Sequence, residues 1–356
     1  MPVVGRNDVT KIIIEPELEL LLKQASKIHE QSFGKTAWLG RCIFLSWYCG
    51  IGTCTFCFRS TQKHKIKFPE QGRRTKESIY TEALIAKSQG WKLEFLTGGH
   101  DMYPDFEILE IAKVCSEIFE EKIWLNIGAM NEEELKKFLP YVEGVVASLE
   151  TTNKKLHDVV CPDKPMEPYF EMLIVAKKLN VKRSITIVLG LGETIEDYES
   201  LKEVIKKYDV NRITIYSLRP VKGTIFTQGP SSEYVALWIA KTRIDFPTLE
   251  IIAGSSETRI AELGLLLRSG ANALTKLPAT KIFGTTGAQD IHNQVLMAGR
   301  EFSSDLVKLQ NNNLDFKDQL DKTTLSSDMK DKILEKIKDY QKNRLNKSYK
   351  SFELVK

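Results

Sequence analysis

The run Cys42-Ile-Phe-Leu-Ser-Trp-Tyr-Cys-Gly-Ile-Gly-Thr-Cys-Thr-Phe-Cys-Phe58 joins an apolar segment to three closely spaced cysteines. Cys49, Cys54 and Cys57 follow the spacing C-x4-C-x2-C, with two glycines and two threonines among the intervening residues. Free cysteine is often buried in a core, but this clustering is not typical of core packing. Three thiolates on one loop can bind three irons of a [4Fe–4S] cube and leave the fourth iron open to a non-protein ligand. The run therefore predicts a metal-binding loop that follows a strand.

Outward from this loop, short apolar runs alternate with helical patterns, which is the signature of parallel βαβ units. Eight strands with intervening helices favour an α/β fold of the (βα)8 TIM-barrel type over an open doubly wound sheet, which normally has fewer strands. The predicted strands are Cys42–Trp47, Leu93–Thr97, Ile123–Ile127, Gly144–Leu149, Ser184–Leu189, Arg212–Leu218, Glu250–Ala253 and Ala273–Lys276. The predicted helices are Thr75–Gln89, Phe106–Glu121, Glu132–Phe138, Pro168–Leu179, Ile195–Tyr208, Ser231–Phe246 and Thr258–Ser269.

Polar and glycine-rich groups follow most of the predicted strands. Active sites of such barrels are built at the carboxyl ends of the strands, so these groups are expected to converge on one mouth. They are the cysteine loop, Gly98-Gly-His-Asp101, Asn126-Ile-Gly128, Glu150-Thr-Thr-Asn153, Gly190-Leu-Gly-Glu193 and Ser217-Leu-Arg-Pro220.

Composition excludes several classes of protein. The 356 residues carry a net charge of only +4, with 42% hydrophobic and 28% charged residues, which is typical of a globular protein and gives no sign of a nucleic-acid partner. No run reaches the ~18–20 apolar residues of a membrane span, and no secretory signal is visible. Three of the six cysteines lie on one loop, which favours metal binding in a reducing compartment over disulfides. A cytoplasmic location is expected.

Three segments are predicted: a helical segment at residues 1–35, a barrel at residues 36–290 and a helical extension at residues 291–356. Val9–Gln31 carries apolar positions at helical spacing, and Gln310-Asn-Asn-Asn313 reads as a loop. In Asp328–Leu345 an apolar stripe is expected to dock on the barrel rather than to recruit a partner. The stripe consists of Met329, Ile333, Ile337 and Tyr340.

Several motifs together resemble the radical S-adenosylmethionine superfamily. They are the cysteine loop after the first strand, Phe56 before its last cysteine, Gly98-Gly99 after the second strand and Glu193 in a Gly-x-x-Glu after the fifth. Cysteine spacing in that superfamily is usually C-x3-C-x2-C, one residue shorter than here. The chain is most similar to the biotin synthase-like branch, through Gly190-Leu-Gly-Glu-Thr194, Arg219-Pro-Val-Lys-Gly-Thr224 and Ser269-Gly-Ala-Asn-Ala273.

Biotin synthase itself is disfavoured, because that enzyme holds a second cluster on three strand cysteines and an arginine. The corresponding positions here are Leu96 or Thr97, Trp124, Ser184 and Ser255. Cys115 and Cys161 do not replace them and are interpreted as structural. Two subfamilies without that cluster stay open: radical maturases of hydrogenase metallocofactors, and amino-acid lyases or mutases. The lengthened cysteine motif is most similar to maturases associated with the iron-guanylylpyridinol cofactor of [Fe]-hydrogenase.

The resemblance implies a [4Fe–4S] cluster on Cys49, Cys54 and Cys57, with S-adenosyl-L-methionine as cosubstrate. Reductive cleavage would give a 5′-deoxyadenosyl radical that abstracts hydrogen from a small-molecule substrate. A reductant such as ferredoxin or flavodoxin, and other maturation proteins, are the implied partners. The implied S-adenosylmethionine contacts are Phe56, Gly98, Gly99, Glu150, Arg183, Glu193, Ser217 and Arg219, with Arg183 or Arg219 on the methionyl carboxylate. His100 and Asp101 either contact the ligand or cap the next helix.

Two readings from other classes remain. A fourth cysteine ligand would make the cluster a simple electron carrier, because four thiolates fill all four irons. A zinc-binding structural protein is disfavoured, since three cysteines without a nearby histidine make a poor tetrahedral set.

Overall fold

The computed structural model describes residues 15–307 and 316–353, and its centre is a closed barrel of eight parallel strands. Each strand pairs with the next one, and β1 closes the ring by pairing with both β2 and β8. The strands are β1 Thr36–Phe44, β2 Lys92–Thr97, β3 Ile123–Asn126, β4 Val142–Glu150, β5 Lys182–Leu189, β6 Arg212–Ser217, β7 Glu250–Gly254 and β8 Ala273–Thr275. A short β9, Glu301–Phe302, adds to the start of β1. The predicted (βα)8 barrel is confirmed.

Helices surround the barrel, and short ones lie in its loops. They are α1 Glu15–Phe33, α2 Phe58–Gln62, α3 Pro69–Gly72, α4 Lys76–Ser88, α5 Asp105–Phe119, α6 Glu132–Phe138, α7 Lys154–Val160, α8 Glu167–Lys178, α9 Tyr198–Lys207, α10 Ser232–Asp245, α11 Leu263–Arg268, α12 Ala279–Ile282, α13 Thr286–Met297, α14 Phe316–Asp321 and α15 Ser327–Glu353. Single 3-10 turns at Ile195–Asp197 and Ile260–Glu262 precede α9 and α11. Among the described residues, no helix is both long enough and apolar enough to cross a bilayer.

Only the first strand departs strongly from its predicted position. It begins at Thr36 and leaves the sheet after Phe44, whereas the apolar pattern suggested Cys42–Trp47. Gly40 and Arg41 interrupt the apolar run, so the sequence pattern does not reveal the first half of the strand. Its other half ends early because Ser46 pairs with Arg73 in an isolated antiparallel bridge. The cysteine loop therefore starts several residues beyond the barrel wall.

The terminal helices dock on the outside of the barrel. Ile333 and Ile337 of α15 are buried in the main core beside α4, and the Tyr340 hydroxyl donates to the carbonyl of Thr280 at 3.0 Å. The apolar stripe of this helix thus docks as predicted. In α1, Leu18 and Leu22 are buried. The apolar residues 12–14 and the loop predicted at 310–313 lie outside the described residues. The segment boundary placed at residue 290 falls inside α13.

Two irregularities in the sheet bring polar side chains into the barrel. Arg41 pairs with Leu93 while Cys42 pairs with Phe95, so Glu94 is an extra residue in β2. Ser148 pairs with Thr186 while Glu150 pairs with Ile187, so a second extra residue precedes Glu150. Such bulges re-aim side chains next to active sites. One lies deep in the barrel and the other at its mouth.

Candidate active site

A cavity of about 360 Å³ opens at the carboxyl ends of the strands. Residues at or just after the ends of seven strands line it, namely Phe44, Thr97, Asn126, Glu150, Ser217, Ser255 and Lys276. The three loop cysteines and the segment after β2 line the same cavity. The predicted convergence of strand-end groups on one mouth therefore holds for the groups that follow the first four strands and the sixth.

The three thiols face this cavity in an environment that suits cluster ligands. The backbone N–H groups of Gly52 and His100 each donate to the sulfur of Cys49 at 3.4 Å. Among the described residues, no group of three or more His, Cys, Asp or Glu side chains could hold a single metal ion. Thiolates that bind different irons of a cube need not meet at one point. The donor set fits a cube better than one ion.

The other two cysteines of the loop differ in their surroundings. A hydrogen bond from the Cys161 thiol lowers the pKa of Cys54, while burial raises the pKa of Cys57. Cys161 therefore touches the loop instead of lying apart from it. It follows α7, whose last residue Val160 accepts a backbone hydrogen bond from Thr55 at 2.9 Å. The end of α7 and the residues that follow it therefore pack directly against the cysteine loop.

Gly98 and Gly99 line the cavity, but their lack of a side chain serves the protein itself. A Cβ on Gly99 would lie 2.0 Å from the carbonyl oxygen of Tyr48 and 2.5 Å from the Cβ of Cys49. A Cβ on Gly98 would lie 1.8 Å from the sulfur of Met102. The glycine pair therefore lets the cysteine loop pack directly on the end of β2. Its backbone remains at the cavity wall.

Glu150, predicted as a ligand for S-adenosylmethionine, ends β4 in the left-handed region at φ 64° and lines the cavity. Its Oε1 accepts a hydrogen bond of 2.6 Å from Lys164, which is buried. Burial, the largest single influence, opposes the charge of Lys164, but Glu150 together with Tyr169, Cys161 and Cys54 outweighs burial, so the pKa of Lys164 is raised. The Lys164–Glu150 ion pair thus forms a fixed dipole in the cavity wall.

His100 and Tyr169 form a second polar pair across the mouth. His100 Nε2 and the Tyr169 hydroxyl share a hydrogen bond of 3.0 Å. Burial, and after it the charge of Lys164, lowers the pKa of His100. The imidazole is therefore neutral at pH 7. His100 contacts the site rather than only capping the next helix.

Three other predicted contacts also line the cavity. Phe56 packs against an apolar cluster that includes Val160 and Leu218. The hydroxyl oxygen of Ser217 is buried and has no hydrogen-bond partner. Since buried polar atoms are rarely left unpaired, this hydroxyl fits a bound ligand with a polar group. Arg219 lines the rim but is largely exposed, and it pairs with Glu257 at 3.0 Å.

Comparison with known proteins identifies the family. A profile described as the Radical SAM superfamily matches residues 48–205. An uncharacterised protein of Methanocaldococcus jannaschii is 41% identical over 84% of this chain and 82% of its own length. The chain belongs to the radical SAM superfamily. Radical SAM enzymes generally use a [4Fe–4S] cluster and S-adenosylmethionine, act on small molecules and take electrons from a reductant.

Other radical SAM proteins resemble it more distantly. The biotin synthase of Persephonella marina is 27% identical over 62% of this chain and 67% of that enzyme. Methylornithine synthase (PylB) superposes with a TM-score of 0.69 at 20% identity, covering 82% of this chain and 91% of that one. The FeFe-hydrogenase maturase HydG from Carboxydothermus hydrogenoformans gives 0.66 at 16%, covering 98% and 89%. At these identities the two structures support the fold alone.

Arg183 does not line the cavity. It is the second residue of β5 and therefore lies at the amino end of the barrel, opposite the mouth. Its guanidinium donates to the carbonyls of Val181, Tyr208 and Asp209 and to the Asp209 carboxylate at 3.1 Å. The predicted contact between Arg183 and the methionyl carboxylate is wrong. This side chain ties β5 to the loop before β6.

Glu193 is also absent from the cavity wall. Its carboxylate accepts N–H bonds from Gly190 at 2.6 Å, Leu191 at 2.9 Å and Gly192 at 3.2 Å. The side chain folds back on its own turn and is buried. The prediction that Glu193 contacts S-adenosylmethionine is therefore wrong. The Gly-Leu-Gly-Glu motif here stabilises the turn after β5.

Below the cavity the barrel is filled by side chains. Trp124 packs within 4.1 Å of the Arg212 guanidinium, and a Cβ on Gly144 would lie 2.4 Å from its ring. Thr214 lies two residues beyond Arg212 on β6 and so nearer the mouth, and there Glu94 accepts from the Cys42 thiol at 2.8 Å and from the Thr214 hydroxyl at 2.9 Å. The hydroxyl of Thr275 also donates to Glu94. Among the described side chains packed around Trp124, Cys42 is the one thiol, so the three thiolate ligands of a second cluster are not present there.

The cavity residues that sequence reasoning missed include Arg59, Lys164, Tyr169 and Lys276. Lys276 is the last residue of the eighth predicted strand, and that position was the available signal. Arg59 lies two residues beyond the last cysteine. Lys164 and Tyr169 belong to the loop and helix after α7, and no pattern in the sequence points them towards the mouth.

Proposed function

We propose that Cys49, Cys54 and Cys57 hold a [4Fe–4S] cluster with one open iron, and that the chain is a biotin synthase-like radical SAM enzyme with this cluster alone. The supporting observation is that the three thiols share one cavity with the backbone of Gly98-Gly99 and the unpaired hydroxyl of Ser217. Bound there, and with one electron from an external reductant, the cluster and S-adenosylmethionine would supply a 5′-deoxyadenosyl radical for hydrogen abstraction, with methionine as the other product.

The chain's own groups prepare the site for that chemistry. Phe56 and its apolar neighbours exclude water on one wall. Two backbone N–H groups support the sulfur of Cys49, and hydrogen bonds to cluster sulfurs tune the reduction potential. Glu150 binds the amino or ribose end of S-adenosylmethionine. Lys164 holds the Glu150 carboxylate in place for this contact. The hydroxyl of Ser217 binds the adenosyl end.

Single cysteine variants test the ligand set. Wild-type protein, reconstituted without oxygen, should be brown, retain iron and sulfide, and cleave S-adenosylmethionine with dithionite. Replacing Cys49, Cys54 or Cys57 by serine should abolish cleavage. Cys115→Ser is the matched control, because Cys115 is buried in the core on α5. Retention of cleavage in any of the three variants would remove that ligand assignment.

A finer proposal concerns the pathway. We propose that the enzyme acts like HmdB, in biosynthesis of the iron-guanylylpyridinol cofactor of [Fe]-hydrogenase. The lengthened spacing from Cys49 to Cys57 and the Trp124-filled barrel support this over biotin synthase. Deleting the gene in its host should remove guanylylpyridinol, as measured by mass spectrometry. An unchanged guanylylpyridinol level in a host that makes it would reject the HmdB-like role and leave the radical chemistry standing.

A further inference from the structure

The cavity wall carries more positive than negative charge. The charged groups that line it are Arg59, Lys164, Arg219, Lys276 and Glu150. Lys164 is neutralised by Glu150 at 2.6 Å, and Arg219 by Glu257 at 3.0 Å. Arg59 and Lys276 have no carboxylate within ion-pair distance among the side chains described at 17–307 and 316–343. Two cations at the mouth are therefore uncompensated.

Both cations lie on the ring of Phe44. The Arg59 guanidinium carbon is 5.4 Å from the ring centroid, and the Lys276 ammonium nitrogen is 4.6 Å from it. Phe44 is itself stacked on Trp47, with 5.5 Å between centroids. Cation–π contacts of this kind hold charged groups beside an apolar wall. The two charges thus flank a common ring at the edge of the cavity.

One hydrogen-bond donor of the Arg59 guanidinium has no acceptor. One terminal nitrogen donates to the carbonyl of Ser46 at 3.0 Å, but the buried Nε–H has no acceptor. A buried donor without a partner is unfavourable. A carboxylate or phosphate oxygen bound here would satisfy that N–H and gain from two positive charges.

The proposed cofactors do not supply the missing negative charge. A cube held by three thiolates is anionic, while S-adenosylmethionine is cationic overall, so their charges offset each other. We propose that the substrate bears an anionic group, a carboxylate or phosphate, bound between Arg59 and Lys276. This inference rests on the proposed function, because it names the substrate class of the same cavity.

Calorimetry with probe anions tests the subsite in the reconstituted holoenzyme. Malonate, inorganic phosphate and neutral malonamide are titrated with S-adenosylmethionine already saturating. Malonate or phosphate should bind and malonamide should not. The anion with the lower Kd indicates whether the substrate group is a carboxylate or a phosphate. Lys276→Gln and Arg59→Gln should each weaken binding about tenfold, the effect of one charge-assisted hydrogen bond. Lys92→Gln is the control, since Lys92 lies on the Trp38 ring at 5.0 Å, away from the cavity.

Three outcomes would overturn the inference. Competition between malonate and S-adenosylmethionine would show that the two cations receive the methionyl carboxylate. Equal weakening in Lys92→Gln would show non-specific attraction, and absence of binding by both anions would remove the subsite. Failure of the proposed function is distinguishable, because it would appear as absent S-adenosylmethionine cleavage with anion binding intact.

A different observation concerns the outer surface beside the cysteine loop. Residues 31–69 contain no aspartate or glutamate and six lysines and arginines. Lys63, Lys65 and Lys67 are exposed, and so are the rings of Trp47 and Phe58, which meet edge-to-face. These five residues are named the basic face. The Lys63 ammonium donates to the carbonyl of Ile51 at 2.8 Å, so this face adjoins the loop between Cys49 and Cys54.

We infer that the basic face docks an acidic one-electron carrier protein. Complementary charge accelerates encounter and fixes orientation. Exposed aromatic residues supply the apolar centre that protein interfaces prefer. A carrier bound here would lie against the loop that holds the proposed cluster, which is where the electron is needed.

Two reductants separate docking from catalysis in the holoenzyme. With a flavodoxin as donor, a Lys65→Gln/Lys67→Gln variant should lose about fivefold in kcat/KM at low salt, and the loss should shrink as salt rises. Lys63 is left in place because it is bonded to the cysteine loop. With dithionite, cleavage of S-adenosylmethionine by the variant should equal that of wild type. The matched control is Lys177→Gln/Lys206→Gln, which removes the same charge from the exposed ends of α8 and α9.

Unchanged flavodoxin kinetics would overturn this assignment. An equal loss with dithionite would show that the lysines act on the cluster loop itself. Binding of RNA by wild type but not by the double variant, with flavodoxin kinetics unaffected, would make the face a nucleic-acid site. Absence of cleavage with dithionite in the wild type would contradict the proposed function instead.

Discussion

The ammonium of Lys164 is bonded to Glu150 Oε1 at 2.6 Å and to the carbonyl oxygen of Ser148 at 2.8 Å. The loop after α7 therefore anchors the carboxylate that ends β4 in the cavity wall. Lys164 also lies 5.5 Å from the centroid of the Tyr169 ring. The side chains of Lys164 and Glu150 are only 7% and 14% exposed. Because both side chains are buried, either charge without its partner would destabilise the folded protein.

Lys164→Met should therefore destabilise the protein, by about 3 kcal/mol in the free energy of unfolding, because it leaves Glu150 buried without a cation. The KM for S-adenosylmethionine should rise as well. Denaturant unfolding and cleavage kinetics measure the two effects. The double variant Lys164→Met/Glu150→Gln should recover part of the stability, since it removes the stranded charge. Additive losses in the double variant would contradict this account.

Arg183→Met should lower stability by about 2–3 kcal/mol, because several buried carbonyls lose a charged donor. The KM for S-adenosylmethionine should stay within about twofold of wild type, since Arg183 lies at the opposite end of the barrel. Arg219→Met, at the exposed rim, is the contrasting variant and should leave stability nearly unchanged. A large rise in KM for Arg183→Met with normal stability would return this arginine to the site.

Glu193→Gln should cost about 1–3 kcal/mol of stability. The carboxylate accepts from three backbone N–H groups, whereas an amide offers one acceptor and directs an NH₂ group at donors. Cleavage of S-adenosylmethionine per folded molecule should not change. Thermal unfolding and activity at low temperature measure both. Glu196→Gln is the control, on the exposed part of the same turn. Loss of activity without loss of stability would place Glu193 in catalysis.

Much of this site was readable because strand ends carry positional information. Once the strands were located, Glu150 and Ser217 could be assigned to the mouth from their place in β4 and β6. The same reasoning applied to Arg183 would have excluded it, since it precedes the predicted fifth strand and so lies at the other end. The family resemblance suggested Arg183 as a ligand contact, whereas its position before the fifth strand placed it away from the mouth, as the structure has it.

Other features were beyond sequence reasoning for physical reasons. Glu193 lies in a glycine-rich turn, and a carboxylate there can face a ligand or fold back on its own N–H groups. Only the three-dimensional turn decides between them. Lys164 and Cys161 reach the site because the loop after α7 packs on the cysteine loop, a contact between segments about 105 residues apart. Periodicity carries no information about such contacts.

His29 should make the protein acid-sensitive. It is fully buried on α1 and shares a hydrogen bond with Arg300. Burial first, and then Arg300 and Arg243, lowers its pKa from 6.5 to about 3. Between these values the unfolded chain binds a proton that the native state does not, so stability falls as pH falls below about 6.5. The slope approaches about 1.4 kcal/mol per pH unit, which gives roughly 2 kcal/mol between pH 7 and pH 5.

Denaturant unfolding at pH 7, 6 and 5 measures this contribution of His29. In His29→Gln the amide can still accept a hydrogen bond from Arg300, but nothing at that position titrates, so its stability should fall less with pH by about the stated amount. His64→Gln changes a histidine on the exposed surface and is the matched control. Parallel pH profiles for wild type and His29→Gln would mean that the native state admits the proton, and that the buried imidazole does not oppose its own charge.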